Sequence, residues 1–209
     1  MKITGLSIAG IAIAMGSFAQ PAAKQTAPVK EALLIVDIQN DYFPGGRHTL
    51  VGAEDAAQNA KTVLAHFRKK GLPVIHIQGL ATDKEATFFL PNTDGVKINQ
   101  AVLPAKGEKL ITKHYPNAFR ETGLLAYLKE NHIQKLTIMG MMTHVCIDAT
   151  VKAAKDYGFD CTVVSDACAT LDVEIQGKKV AAEAVQQSLL GAMEFYYATI
   201  KTTSEVVSE

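Results

Sequence analysis

Three residues of this sequence belong to types that do covalent chemistry and stand where a fold can bring them together: Asp37, Lys113 and Cys146. Asp37 ends the apolar run Ala32-Leu-Leu-Ile-Val, and Lys113 ends Lys109-Leu-Ile-Thr. Cys146 follows Lys135-Leu-Thr-Ile-Met-Gly140 by six residues and opens a helical pattern. A cysteine becomes a nucleophile when a base takes its proton, and a desolvated carboxylate is such a base. A lysine beside both keeps the carboxylate ionised and favours the thiolate. A helix N-terminus adds about half a positive charge and free N–H groups. The segment Gly140-Met-Met-Thr-His-Val-Cys146 would turn backbone N–H groups toward an acyl oxyanion. The chemistry suggested is attack on a carbonyl-type carbon, a thioester, and hydrolysis by water. Taken singly, each residue also fits an ordinary role: a loop aspartate, a solvated lysine, a buried cysteine. The weight lies in all three falling at one edge of the same predicted sheet.

That sheet follows from the pattern of elements. Ala32–Asp37, Pro73–Gln78, Lys109–Lys113, Lys135–Gly140 and Cys161–Ser165 are short apolar runs of the kind buried on both faces, and Ala198–Thr202 is a sixth candidate before a short tail helix. Between them, helical spacing covers Glu54–Lys70, Thr122–Asn131, Cys146–Tyr157 and Val180–Tyr196. Alternation of this kind predicts an α/β protein with a three-layer α/β/α, Rossmann-like fold and a six-stranded, mostly parallel sheet. In such sheets ligands bind outside the carboxyl ends of the strands, where Asp37, Lys113 and Cys146 lie.

Composition narrows the function further. The 209 residues carry 21 basic and 21 acidic side chains, a balance that argues against a nucleic-acid partner, which needs a basic excess. With 48% apolar residues the chain has material for a core and is not disordered. Three cysteines, an odd and small number, exclude a disulfide scaffold. Residues 1–19 read as a signal peptide: Lys2, an almost uncharged run to Phe18, then the small-x-small end Ser17-Phe18-Ala19. The competing reading is an uncleaved membrane anchor. Residues 20–30, with Pro21 and Pro28, read as a flexible lead-in, and 31–209 as one domain. The expectation is an exported protein, periplasmic or secreted, with no membrane association after signal cleavage.

The matching segments then reach a known family. Leu33-Leu-Ile-Val-Asp37-Ile-Gln39-Asn-Asp41-Tyr-Phe43, Lys113-His-Tyr-Pro-Asn-Ala-Phe119, Gly140-Met-Met-Thr-His-Val-Cys146-Ile-Asp-Ala-Thr150 and Ser165-Asp-Ala-Cys-Ala169 occur in order. On these segments the chain resembles the isochorismatase-like cysteine hydrolases over Glu31 to Val207. The resemblance implies a catalytic trio of Asp37, Lys113 and Cys146, and a cis peptide at Met141–Met142. It also implies an oxyanion hole from the Met142 and Cys146 amides, and a homo-oligomer, dimer or tetramer. No cofactor is expected. Nicotinamidases of this family carry an Asp-x-His metal motif after the second strand, and His76 to Glu85 contains no such triplet. Six histidines without ligand spacing give no metal site either. Isochorismatases proper cleave a vinyl ether without a nucleophilic cysteine, so Cys146 favours an amide, carbamoyl or related C–N substrate. Vinyl ether hydrolysis and a non-catalytic small-molecule binder remain as alternatives, with a thiol redox protein weakest for want of C-x-x-C.

Gln39, Phe43, Tyr115, Phe119 and His144 fall near the same strand ends and are candidates to line a substrate pocket. Cys161 and Cys168 are about 23 Å apart along an extended strand, too far for a disulfide. A Cys146–Cys168 bond in an oxidising compartment is conceivable and would switch the enzyme off. No G-x-S-x-G or phosphate loop is present.

Overall fold

Leu33 and Ile35 point to one side of the first strand and Leu34 and Val36 to the other, and all four are buried in separate apolar clusters. A strand covered on both faces belongs at the centre of a sheet, and that is where it lies in this computed structural model, which describes residues 30–209. The predicted signal peptide and nearly all of the lead-in lie outside the described residues. Lys30, assigned above to the lead-in, is already in strand β1 (Lys30–Val36).

The chain continues through α1 (Ala53–Lys69), β2 (Val74–Gly79), β3 (Lys109–Lys113), α2 (Leu124–Glu130), β4 (Ile133–Met141), α3 (Asp148–Asp156) and β5 (Asp160–Ala169). A hairpin of β6 (Val173–Ile175) and β7 (Lys178–Val180), then α4 (Ala182–Glu194), β8 (Thr199–Lys201) and α5 (Thr203–Val207) complete it. The six-stranded sheet has the order β3-β2-β1-β4-β5-β8, and every pair in it is parallel. Val63, Leu64 and Phe67 of α1 and Val206 of α5 pack on one face. Leu124 and Leu128 of α2, Val151 of α3 and Met193 of α4 pack on the other. The three layers are those the sequence pattern predicts.

Strand order reverses between β1 and β4: the chain builds outward through β2 and β3, then returns to the far side of β1. A crevice opens at such a reversal because the flanking connections leave on opposite faces.

Several boundaries differ from the sequence reading. The helix expected at Cys146–Tyr157 splits into a wide π-helical turn, Thr143–Ile147, followed by α3. The hairpin β6–β7 was not foreseen, since three residues per strand are too few to show alternation. Residues 80–107 form no strand and no α-helix; Gln100–Val102 is a single 3₁₀ turn, and one bridge pairs Gln39 with Ile98. Cys146, Cys161 and Cys168 are all buried free thiols. Among the described residues no helix is long and apolar enough to cross a membrane.

Candidate active site

The crevice is built by the ends of β1, β3 and β4. At the end of β1 the chain turns out of the sheet at Asp37, in the left-handed region at φ 51°, while its N–H still donates to Ile77 O at 3.0 Å. Beside it, β4 carries Gly140 at φ +134°. A Cβ there would stand 1.9 Å from Val36 O, so only glycine lets β1 and β4 run together at this point. The cis peptide Met141–Met142 follows, as the resemblance implied. The π-helical turn then closes on Met142 O, which accepts from both Val145 N and Ile147 N at 3.1 Å. Cys146 projects from this turn. Lys113, the last residue of β3, is 3% exposed.

The three side chains meet. Lys113 Nζ lies 2.6 Å from Asp37 Oδ2 and donates to Cys146 Sγ at 3.2 Å. Asp37 is fully buried, and its Oδ1 has no protein donor. Burial alone would lower the Lys113 ammonium, but Asp37 and Cys146 outweigh it and hold it above its ordinary range. For Cys146 the balance is the reverse of the sequence expectation. Burial and the Asp37 charge overcome Lys113 and push the thiol up to about 12. Burial therefore disfavours a standing thiolate on Cys146, while Lys113 is held as an ammonium. Burial, together with Asp37, Cys146 and Asp41, also raises the Tyr42 phenol well above its usual value.

A cavity of about 250 Å³ lies over the trio. Met142 and Cys146, the two predicted oxyanion residues, both line it, as does Tyr115. The other predicted pocket residues do not. Gln39 is fully buried and clamps backbone: Nε2 donates to Gly79 O (2.9 Å) and Val96 O (2.7 Å), and Oε1 accepts from Gly79 N (2.7 Å). Phe43 faces a separate open cleft of about 930 Å³ whose walls hold no cysteine or histidine. Phe119 is buried, stacked on Phe159 in the core at 6.2 Å and tilted against the exposed Tyr157 at 5.2 Å between ring centres. His144 turns its ring to Thr170 Oγ1, away from the cavity. In their place the walls are Tyr42, Leu80, Ala81, Phe88, Phe89 and Val145. The pair Phe88-Phe89 was the available signal, two aromatics in an otherwise polar stretch. Among the described residues no group of three histidine, cysteine or acidic side chains could hold a metal ion.

Comparison with known proteins gives the family. The Isochorismatase domain model matches residues 31–193. YddQ of Bacillus subtilis (strain 168), an uncharacterized isochorismatase family protein, is 49% identical over 172 residues, 82% of this chain and 96% of that protein. A crystal structure of an isochorismatase hydrolase from Oleispira antarctica superposes with a TM-score of 0.84 at 45% identity, covering 88% of this chain and all of the other. N-carbamoylsarcosine amidase from Thermoplasma acidophilum superposes with a TM-score of 0.72 at 25% identity, over 84% and 97% of the two chains. With a family model spanning most of the chain and the strand-end trio in one crevice, this protein belongs to the isochorismatase family and is a hydrolase of that family.

Proposed function

We propose that the protein is a cysteine hydrolase that opens a small amide, carbamoyl or related C–N substrate through a thioester on Cys146. The observation that carries this reading is Lys113 Nζ, within 2.6 Å of the Asp37 carboxylate and 3.2 Å of the Cys146 sulfur, under a small cavity. Asp37 takes the Sγ proton as sulfur bonds to the carbonyl carbon, so the thiolate exists only while it attacks. Backbone N–H groups of Met142 and Cys146 receive the oxyanion. As the C–N bond breaks, the Asp37 carboxylic acid returns the proton to the leaving nitrogen. Water then attacks the thioester carbon, Asp37 takes its proton, and the C–S bond breaks with the proton going back to sulfur. Lys113 stays an ammonium throughout and balances whichever neighbour carries the negative charge. The N-carbamoylsarcosine amidase with the same fold supports a C–N bond as the target. The reading includes a signal peptide at residues 1–19, export to periplasm or medium, and a homo-oligomer.

The test is a pair of variants against a screen of small amides and carbamoyl compounds. Cys146→Ala is expected to keep its fold and lose turnover by about 10³-fold or more, and rapid quench of the parent protein should show an acyl adduct on Cys146 by mass. Full activity in Cys146→Ala with loss in Asp37→Asn would replace this reading with vinyl ether hydrolysis.

A further inference from the structure

The walls of the cavity also carry information about what enters it. Its acidic and basic side chains are Asp37 and Lys113, which pair at 2.6 Å, and Asp83 and the His114 imidazole, both solvent-exposed at the mouth. No arginine lines it. Arg120 lies outside, its guanidinium 3.6 Å from the Tyr115 ring centre and its Nε 3.5 Å from Glu121. A carboxylate entering the cavity would lose its water, meet no unpaired cation and face Asp37, an arrangement that strongly opposes binding. Apart from Thr82 and Cys146 the remaining walls are mostly apolar or aromatic, and three of them form one aromatic cluster: Phe89 lies 4.8 Å from Tyr42 and 4.9 Å from Phe88, ring centre to ring centre.

Phe89 is held in place by residues far away in sequence. Its backbone sits at φ +56°, a left-handed conformation that costs a non-glycine residue free energy unless something fixes it. Asp41, itself 1% exposed, accepts the Phe89 N–H at 2.6 Å, and Ala81 N donates to Phe89 O at 3.0 Å. The ring fills the space over Gly79, where a Cβ would come within 2.8 Å of it. Asp41 and Gly79 are therefore positioning residues for this wall.

We propose that the cavity selects an uncharged carboxamide-type substrate with a compact apolar acyl group, and that Phe89, positioned by Asp41 and Gly79, sets the width it accepts. The proposal deepens the hydrolase reading and rests on it for turnover, but its binding test does not depend on it. Benzamide, 4-carbamoylbenzoate and 1-naphthamide are titrated into Cys146→Ala protein and their affinities read from chemical-shift changes of the pocket amides. Benzamide is expected to bind at least about tenfold tighter than the carboxylated analogue. Phe89→Ala and the milder Phe89→Leu, each added to Cys146→Ala, should both raise the affinity for 1-naphthamide relative to benzamide, by about fivefold or more for alanine. A purely structural role for Phe89 would weaken both ligands together. Equal or tighter binding of 4-carbamoylbenzoate, no binding of benzamide, or an unmoved naphthamide-to-benzamide ratio in both Phe89 variants overturns the proposal. Ammonia release by the parent protein scores the hydrolase reading separately: neutral selectivity without release in any amide leaves the pocket assignment standing and removes the reaction.

Discussion

Lys113 faces a carboxyl group and a thiol. Cys146, pushed up to about 12 by burial and by Asp37, is the neutral thiol of the resting site. Alkylation of Cys146 by iodoacetamide should therefore keep accelerating as pH rises past 9, with no plateau near neutrality, because the thiolate fraction is still growing there. A plateau below pH 8 would mean a standing thiolate and contradict the charge state described above. Lys113→Met removes the counter-charge of a fully buried carboxylate, and breaking a buried pair from one side costs about 3–5 kcal/mol. Urea unfolding should show that loss, and Asp37→Asn added to Lys113→Met should recover part of it even though neither protein turns over. These three residues were legible in the sequence because each ends or follows an apolar strand, where side-chain type and position can be read together. Beyond Tyr115 and Met142, the cavity walls were not. Leu80 to Phe89 has no period, so nothing in the sequence says that Asp41 folds it inward or that Gln39 is spent on backbone.

At the level of elements, the long connection between β2 and β3 is held by a polar cluster that the sequence reading passed over. Arg68 of α1 donates to Glu108 from Nε (2.7 Å) and Nη2 (2.9 Å), and His76 of β2 meets the same carboxylate at 2.8 Å. Burial alone would raise Glu108, but Arg68, the Ala105 N–H and His76 outweigh it and hold the carboxyl at about 2. Burial lowers His76 despite Glu108, so its imidazole is neutral in the fold. Both groups make acid destabilising. The unfolded chain protonates a histidine more readily below about pH 6.5, and the Glu108 contribution, present above its ordinary value of 4.5, is lost as pH falls toward 2. Glu108→Gln should lower the melting temperature at pH 7 by roughly 2–4 °C. It should also flatten the decline between pH 4.5 and 2; thermal scans across that range with parallel acid limbs would contradict the assignment. Helix and strand identities were readable from periodicity. The π-helical turn at Thr143–Ile147 was not, because its residues also suit an ordinary first turn of α3.

For the whole molecule, the α/β alternation and the two-sided burial of β1 were enough to predict the layers, and sheet order supplied the rest. The reversal between β1 and β4 decides where the crevice falls, which no local pattern encodes. It also has a bearing on how the protein folds. Strand β2 separates β1 from β3, and its last residue, Gly79, is the register partner of Lys113. Lys113 reaches Asp37 across that strand end, where Gly79 itself carries no side chain and a Cβ would stand 3.3 Å from Asp37 Oδ1. The trio thus draws on β1, β3 and β4, whose reactive residues are 76 and 33 positions apart along the chain, from 37 to 113 and from 113 to 146. Such distant pairings close late because their loops are entropically expensive. On dilution from denaturant, enzymatic activity should return with the slowest phase seen by circular dichroism or fluorescence, and no partly ordered species should turn over substrate. The reaction is in effect a clock for completion of the sheet, and activity recovered ahead of that phase would show that a smaller nucleus suffices.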